Sequence, residues 1–256
     1  MPDEGWSLLT LNVARPTRER AEGLLAYLWS RPEQVLVLTE VGTGGGSGLL
    51  AAVCRAAGYT VTGLGPNLRD LGVLVVGRDF ELTTDAVPRP ALLPGRVETV
   101  IAHTPTGDVR VAGVYGAASD PVRYASAAQR QRKRDWLDAF DGWLAGWLRP
   151  GCPQVLIGDL NIADPVHGSG LRYLLNEEIA AYGALSHEHG LTDAWRLANP
   201  DAVGVSWTDH TGAGCRYDHA FVTADLVDAV ASCELDDTPR TEGLTDHAAL
   251  SLALRL

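Results

Sequence analysis

Residues 155–161 have the sequence VLIGDLN, in which a run of apolar residues typical of a buried strand leads directly to an acid and an amide. Because side chains alternate between the two faces of an extended chain, Asp159 and Asn161 are expected to project to the same side. A carboxylate and a carboxamide placed in this way can face one ligand together, such as a metal-bound phosphate or water. The alternative for this segment alone is a strand followed by an Asx turn.

The composition is that of a globular protein without a membrane segment. The chain has 256 residues, of which 46% are hydrophobic and 21% are charged, and it carries a net charge of -11. No run of about eighteen apolar residues is present, and the acidic N-terminus does not resemble a signal peptide, so a cytoplasmic location is predicted. The negative charge argues against nucleic-acid binding through bulk positive charge, although a local basic groove or a divalent ion would still permit a nuclease. No obligate protein partner is inferred.

Strand-like and helix-like patterns alternate along the whole chain. The connections within residues 59–115 are too short for crossover helices, so that section is predicted to be antiparallel. Two groups of strands with helices between them predict two packed sheets covered by helices, and without a low-complexity linker residues 1–256 are predicted to form a single domain. Helices are predicted at 18–29, 48–58, 121–148 and 168–183, and strands at 6–13, 35–41, 59–63, 72–76, 97–103, 109–115, 154–158, near Ser206, and at 217–223, 229–234 and 248–254.

Polar residues lie at the edges of five of the apolar strands. A single strand-end acid is usually solvated, but this many together indicate a common site. Oxygen ligands from Asp, Glu and Asn suit Mg²⁺ or Mn²⁺ better than zinc, and such an ion acts as a Lewis acid on phosphoryl oxygen. Clustered carboxylates without a cation would repel one another and take up protons. The residues are Asn12, Glu40, the pair Asp159 and Asn161, Asp218, and the pair Asp246 and His247.

The same residues lie in motifs that resemble the endonuclease/exonuclease/phosphatase superfamily, and most closely its exonuclease III-like branch, which includes abasic-site endonucleases. The motifs occur in the family's order and span residues 12–247. The resemblance implies a four-layered α/β sandwich of two packed mixed sheets flanked by helices, which agrees with the two sheets expected from the strand pattern. The motifs are LNV with Asn12, LTE with Glu40, VYG with Tyr115, GDLNIA with Asp159 and Asn161, SWTD with Trp207, RYDHAF with Arg216 and Asp218, and TDH with Asp246 and His247.

The resemblance implies a metal site and a water-activating group. Glu40 would bind the catalytic Mg²⁺ or Mn²⁺, with Asn12 beside it and Asp246 contributing on the same side. Asp159 would orient or deprotonate the attacking water, and Asn161 would hold the phosphate and that water.

The remaining implied roles concern the substrate. His247 would hydrogen-bond a non-bridging phosphate oxygen, and Asp218 would fix its tautomer and charge. Tyr115 would donate a hydrogen bond to the phosphate or assist the leaving group. Trp207 and Arg216 would bind substrate, although a buried strand aromatic is an equally open interpretation of Trp207.

Three segments allow two interpretations each. The glycine-rich residues 42–48 stand where abasic-site endonucleases carry a basic residue, and they form either a flexible connector, which is favoured, or a substrate-facing lid. The basic run at 130–134 is interpreted as the solvated face of a helix rather than a phosphate contact. His187 and His189 fit a helix terminus better than a metal site.

The sequence therefore predicts a Mg²⁺-dependent phosphoesterase that hydrolyses phosphodiesters by direct water attack, with a DNA nuclease or abasic-site endonuclease preferred. The alternative keeps the metal site and changes the substrate to a small phosphorylated metabolite, which the acidic charge and the missing basic residue after Glu40 favour. A binding module with a decayed site is a third hypothesis, opposed by the competent residue type at every core catalytic position.

Overall fold

Two six-stranded sheets form the framework of the protein in the computed structural model, which describes residues 5–63, 70–78, 81–118, 127–168, 176–209 and 212–256. The strands are β1 (Trp6–Asn12), β2 (Val35–Val41), β3 (Thr60–Thr62), β4 (Gly72–Gly77), β5 (Leu82–Thr84), β6 (Val97–Thr104), β7 (Gly107–Tyr115), β8 (Gln154–Asp159), β9 (Thr192–Asp193), β10 (Trp207–Thr208), β11 (Gly214–Cys215), β12 (Asp218–Val222), β13 (Val230–Asp236) and β14 (Ala249–Leu254). The helices are α1 (Arg18–Ser30), α2 (Gly45–Ala56), α3 (Ala127–Trp147), α4 (Pro165–Gly168), α5 (Asn176–His187), α6 (Ala194–Ala198) and α7 (Thr238–Thr241), with 3₁₀ turns at Pro94–Arg96 and Ala224–Ala229.

Both sheets are mixed, and each has one parallel strand pair at its centre. The first sheet has the strand order β13-β14-β1-β2-β4-β3, with β1 and β2 parallel. The second has the order β5-β6-β7-β8-β12-β9, with β7 and β8 parallel. The pairs within residues 59–115 are antiparallel, as predicted from their short connections. The short strands β10 and β11 form a separate hairpin.

Alternating side chains along the strands create separate apolar layers. Leu8 and Val37 of the first sheet pack against Val111 and Ile157 of the second, so one face of each sheet is buried between the two. Leu9, the neighbour of Leu8, points to the opposite face and packs in a different cluster. This alternation is the expected behaviour of an extended chain with both faces covered.

Helices cover the outer face of each sheet. Helices α1 and α2 pack on the first sheet, where Leu24 and Leu50 are fully buried. Helix α3 covers the second sheet with four aromatic side chains spaced at three- and four-residue intervals, which places them on one face; neighbouring rings stack at centroid distances of 5.9, 5.8 and 5.7 Å. The order helix, sheet, sheet, helix confirms the predicted four-layered α/β sandwich. The aromatic residues are Trp136, Phe140, Trp143 and Trp147.

Helix boundaries differ from the sequence-based prediction in three places. Helix α2 begins at Gly45, three residues before the predicted start. The first part of the helix predicted at 121–148 lies outside the described residues, and α3 begins at Ala127 within the described part. The helix predicted at 168–183 is replaced by α4, which ends at Gly168, and α5, which begins at Asn176; residues 169–175 lie outside the described residues.

The short strands β5, β9 and β11 were not predicted, because two or three residues carry no usable periodicity. Within the described ranges, no helix combines the length and the apolarity needed to cross a membrane.

Candidate active site

Three predicted catalytic residues lie side by side on neighbouring strands of the second sheet. Tyr115 ends β7, Asp159 ends β8 and Asp218 begins β12, and the strand register places Tyr115 opposite Asp159 and Asp159 opposite Asp218. Asn12 ends β1 of the first sheet, opposite Thr39, the residue before Glu40. The polar strand ends of both sheets therefore meet at one edge of the sandwich.

Gly158 is required for the path of the chain into Asp159. Its φ is +148°, a conformation that residues with a side chain rarely adopt, and a Cβ there would lie 2.0 Å from the carbonyl oxygen of Val114. Only glycine allows β7 and β8 to pair this closely at the residue before the acid. The order glycine then acid in the sequence thus has a structural cause.

Asp159 is buried and held by three hydrogen bonds. Its Oδ2 accepts from Asn12 Nδ2 at 2.8 Å and from Asn161 Nδ2 at 3.0 Å, and its Oδ1 accepts from the backbone N–H of Asn161 at 2.8 Å. Burial, followed by the negative charge of Asp218, raises the pKa of Asp159 to about 7. A carboxyl group with a pKa near neutrality is suited to accept a proton at physiological pH.

His247 and Asp218 form a buried pair beside Asp159. Asp218 Oδ2 accepts a hydrogen bond from His247 Nδ1 at 2.7 Å, which leaves Nε2 as the ring nitrogen that faces other partners. Burial disfavours the imidazolium, but the negative charge of Asp218 and its hydrogen bond outweigh this effect and raise the pKa of His247 to about 9. Thr245 connects this segment to the first sheet, because its hydroxyl donates to the carbonyl oxygen of Asn12 at 2.7 Å.

Asp159, Asn161 and His247 line one cleft of about 380 Å³, whereas Asp218 is fully buried and does not line it. The wall of the cleft contains mostly polar and charged side chains. They are Asn12, Arg15, Glu40, Asp70, Arg96, Tyr115, Arg132, Asp159, Asn161, Trp207, Asp246 and His247. Each arginine of this wall has a carboxylate partner. Arg15 Nε lies 3.3 Å from Glu40 Oε1, and both Arg96 and Arg132 contact Asp70.

The predicted metal ligands are of the chemical type that binds a divalent cation, but their side chains are not arranged around a common cation position. Glu40 and Asp246 bring hard oxygen ligands to the cleft, and the pKa of Asp159 is raised by its burial and by the negative charge of Asp218, which a cation would offset. Glu40 is paired with Arg15, however, and the Asn12 carboxamide is fully engaged, since its Oδ1 accepts from the backbone N–H of Ala14 at 2.8 Å. In the part of the chain that the structure describes, no group of three or more acidic, histidine or cysteine side chains is arranged to hold a metal ion.

Tyr115 lies under the guanidinium group of Arg96. The Arg96 Cζ is 4.2 Å from the ring centroid, a cation–π contact, and Arg96 Nη1 donates to the carbonyl oxygen of Gly116 at 2.5 Å. Burial and the negative charge of Glu40 raise the pKa of Tyr115 well above its usual value, so its hydroxyl stays protonated and able to donate.

Comparison with protein families gives one match over most of the chain. Residues 9–247 match the model of the Endonuclease/Exonuclease/phosphatase family. The chain belongs to this family. A search among curated proteins returns no match.

Solved structures of family-like nucleases share the fold of this chain. A 3'-5' exonuclease (NExo) from Neisseria meningitidis is 22% identical with a TM-score of 0.76, and the match covers 97% of this chain and 99% of that one. An AP endonuclease from Archaeoglobus fulgidus is 20% identical with a TM-score of 0.75, over 98% and 100% of the two chains. The AP endonuclease LMAP from Leishmania major is 19% identical with a TM-score of 0.70, over 100% and 89%. The predicted membership of the endonuclease/exonuclease/phosphatase family and its fold are thereby confirmed.

Arg216 does not line the cleft, and its predicted role in substrate binding is wrong in this structure. The side chain is fully buried, and its Nη2 donates to Asp193 Oδ2 at 2.6 Å and to Asp164 Oδ2 at 2.8 Å. Its Nη1 lies 2.9 Å from His219 Nδ1. Because a guanidinium only donates, His219 Nδ1 must accept, and its Nε2–H then donates to the carbonyl oxygen of Ile162 at 2.7 Å.

The basic run at 130–134 is only in part the solvated helix face that the sequence predicted, because Arg132 and Arg134 are partly exposed but Lys133 is enclosed. Lys133 is fully buried, and its ammonium donates to the carbonyl oxygen of Asn161 at 2.7 Å and lies 3.8 Å from Glu178. Arg132 lines the cleft. Lys133 is the only lysine of the chain, and this is the one feature of the sequence that distinguishes it from the arginines around it. Nothing in the sequence pattern distinguishes Arg15, Arg96 or Asp70.

The other segments with two interpretations are also resolved in part. Trp207 is half-buried at the cleft, where its Nε1 donates to Asp246 Oδ2 at 3.0 Å, so it is not a core aromatic. The glycine-rich residues 42–48 do not line the cleft, and from Gly45 they are helical. A Cβ on Gly46 would lie 2.0 Å from the carbonyl oxygen of Pro16, which explains why the second residue of this helix is glycine. Helix α5 ends at His187, four residues beyond its predicted end, which places His187 at a helix terminus as predicted, and His189 pairs with Asp141.

Proposed function

We propose that the protein is a divalent-metal-dependent phosphoesterase that hydrolyses phosphate esters of DNA by direct attack of water. The observation that carries this proposal is the geometry around Asp159, a buried carboxylate oriented by two amides next to a paired aspartate and histidine. Three similar structures are described as a 3'-5' exonuclease and two AP endonucleases, and a further one as a 3' phosphatase NExo from Neisseria bound to a product DNA hairpin.

In this mechanism Asp159 accepts a proton from the attacking water, and the two amides hold its carboxylate in one orientation. Asn161 Nδ2 already donates to Asp159 and to the carbonyl oxygen of Gly116 at 3.2 Å, so the side chain is fixed beside the base. A bound Mg²⁺ or Mn²⁺, held by Glu40 and Asp246, would supply Lewis-acid stabilisation of phosphoryl charge. The ion would also lower the pKa of Asp159, because positive charge favours the carboxylate.

The side chains next to Asp159 act on the phosphate. The Nδ1–H of His247 is directed to Asp218, so its Nε2–H donates to a non-bridging phosphate oxygen when the ring is charged. The Tyr115 hydroxyl, kept protonated by its raised pKa, donates to the phosphate or to the leaving oxygen. Trp207 provides an aromatic surface at the cleft on which a base or sugar stacks.

A small phosphorylated metabolite is a second candidate substrate, which a specific observation favours. The three arginines of the cleft wall are all paired with Glu40 or Asp70, so the cleft is not strongly positive, and the net charge of the chain is -11. Phosphate-backbone binding usually rests on free Lys and Arg side chains.

One side-by-side assay tests both candidates. Purified protein with Mg²⁺ would be given an abasic-site duplex, a 3'-recessed duplex, a 3'-phosphate duplex and a panel of phosphorylated metabolites, with EDTA added to a parallel series. The proposal expects DNA hydrolysis that EDTA abolishes and Mg²⁺ or Mn²⁺ restores. Turnover of metabolites alone would replace the DNA assignment with the second candidate, and hydrolysis that is indifferent to EDTA would contradict the metal requirement.

A further inference from the structure

We propose that Asp70 is a specificity-determining residue of the cleft. Its carboxylate takes the position between Arg96 and Arg132 that a second phosphate of a polyanionic substrate would occupy, and it thereby favours substrates that present one phosphate. The inference rests on the proposed phosphoesterase activity and concerns which of its two candidate substrates the same cleft prefers, since it favours a substrate with one phosphate over a polyanion.

Both oxygens of Asp70 are engaged. Oδ1 accepts from the backbone N–H of Leu71 at 2.8 Å. Oδ2 accepts a hydrogen bond from Arg132 Nη2 and lies 3.6 Å from Arg96 Nη2. Two planar guanidinium groups around one anionic oxygen form the arrangement by which proteins bind phosphate, and a carboxylate offers them the same charge sign and acceptor atoms.

The two arginines are held differently. Arg96 is buried and cannot withdraw, because its Nη1 donates to the carbonyl oxygen of Gly116 and its guanidinium stacks on Tyr115. Arg132 extends from α3 and is more exposed, with 39% of its side chain accessible. The pair thus consists of one fixed and one adjustable cation, both charged at any physiological pH.

This arginine pair lies next to the proposed catalytic centre. The carbonyl oxygen of Gly116 accepts hydrogen bonds from both Arg96 Nη1 and Asn161 Nδ2, at 2.5 and 3.2 Å. One carbonyl oxygen therefore separates the arginine pair from the amide that holds the base Asp159. A substrate with its reacting phosphate at Asn161 would bring a neighbouring phosphate of the same strand towards Asp70.

A second phosphate would meet the Asp70 carboxylate there and be repelled, or would have to displace it from both arginines. A substrate with one phosphate avoids this cost. Because the Asp70 side chain is about one-third exposed, solvent screens the interaction, and a discrimination of about fivefold in affinity is expected. Asp70 therefore adjusts substrate preference without setting the chemistry.

The substitution Asp70→Asn tests this role with little structural change. Asparagine keeps an Oδ1 acceptor for the Leu71 N–H but removes the negative charge between the arginines. The primary measurement is the Kd of a fluorescein-labelled single-stranded oligonucleotide, taken over a range of salt concentrations, with a nucleoside 3'-monophosphate as the one-phosphate competitor. We expect the oligonucleotide Kd to fall about fivefold and its salt dependence to become steeper, since one more phosphate contact forms, whereas the monophosphate Kd changes less than about twofold.

Two further variants separate this effect from bulk charge and from misfolding. Asp141→Asn removes one negative charge from an exposed position on α3 that does not line the cleft, and it should leave both Kd values unchanged. Arg132→Gln added to Asp70→Asn should cancel the gain in oligonucleotide affinity. A thermal melt of each variant checks that the fold is retained.

The possible failures of the two proposals are distinguishable. If Asp70→Asn binds the oligonucleotide no more tightly than the parent, or if Asp141→Asn gives the same gain, the role of Asp70 is refuted, whatever the protein hydrolyses. If the parent protein hydrolyses no phosphate ester in the presence of Mg²⁺, the proposed function fails, and the binding measurements still decide whether Asp70 excludes a polyanion.

Discussion

Replacement of Arg216 by methionine should destabilise the protein strongly, because Arg216 is the centre of a buried ionic network. The guanidinium joins Asp164, in the loop after Asn161, to Asp193 at the end of β9. Methionine fills a similar volume without charge, so Arg216→Met leaves the buried Asp193 without its arginine partner, whereas Asp164 keeps its contact with Arg196. The change therefore tests electrostatics more than packing.

The expected loss follows from the burial of all three groups. The Arg216 side chain has no exposed area, and those of Asp164 and Asp193 are 2% and 7% exposed. Removal of one partner from a buried ion pair typically costs about 3–5 kcal/mol of the free energy of unfolding, because the remaining charge stays uncompensated. With an m-value of about 3 kcal/mol/M in urea, the unfolding midpoint should fall by about 1 to 1.7 M.

The assay is urea unfolding followed by tryptophan fluorescence, with Arg110→Met as the matched control. Arg110 is also buried and donates to Asp85 at 2.6 and 2.8 Å and to the carbonyl oxygen of Trp147, but it lies at the opposite end of β7 from Tyr115. Both variants should lose comparable stability. Only Arg216→Met should also lower kcat in conditions where the protein remains folded, because its network anchors the loop that carries Asn161.

A different pattern would refute this reasoning. If Arg216→Met unfolds at the same urea concentration as the parent but shows a raised KM, Arg216 binds substrate and the buried network does not describe the protein in solution. If it loses stability but keeps full kcat, the network stabilises the fold without positioning the site. Arg216→Lys, which keeps the charge but not the forked geometry, should lie between the parent and Arg216→Met in stability.

Three further predictions concern the base, its support and acid stability. Asp159→Asn should lower kcat at least about 100-fold with little change in urea midpoint, since it removes the proton acceptor; near-normal kcat would contradict its role. Lys133→Met should lower kcat about tenfold with KM little changed, because the carbonyl of Asn161 loses its hydrogen bond; an effect on KM alone would contradict a positioning role. Burial would raise the pKa values of Asp164 and Asp193, but hydrogen bonds and the charge of Arg216 hold both below their usual range. Their contribution to stability is therefore complete above about pH 4 and is lost as the pH falls further. Urea unfolding midpoints measured from pH 6 to pH 3 should fall steeply at the acidic end. The fall in midpoint should be smaller in Arg216→Met.

The sheets were predictable because both faces of their strands are covered. The apolar run before Asp159 and the one before Glu40 became β8 and β2, and the latter has the predicted bounds. Their polar ends meet because the central strand pair of each sheet is parallel, so that the ends of β1 and β2, and of β7 and β8, lie at the same edge. Residue type and local pattern were sufficient for this part of the site.

The sequence did not reveal which basic residues are buried. The RYDHAF motif predicts that Arg216 binds substrate, but its partners Asp164 and Asp193 are 52 and 23 residues away in the chain. Lys133 stands among arginines in a run that resembles a solvated helix face, yet it points inward to Asn161. A local pattern contains no information on such pairings, since tertiary contacts decide whether a charged side chain is solvated or enclosed.

The backbone at the cleft was equally inaccessible to sequence analysis. Five non-glycine residues in the described part of the chain have positive φ, and four of them lie where the chain leaves a strand at the cleft: Ala14, Arg15, Glu40 and Asn161, with Leu93 the fifth. Such conformations cost about 1 kcal/mol or more each and persist only where other contacts impose them. At Asn161 these contacts are its N–H bond to Asp159 and the Lys133 ammonium on its carbonyl, and at Glu40 the carbonyl accepts from the Arg15 N–H at 3.1 Å. The hydrogen bonds that offset the strain are therefore the ones that orient the proposed base and metal ligand. The site thus depends on the path of the backbone as much as on the identity of its side chains.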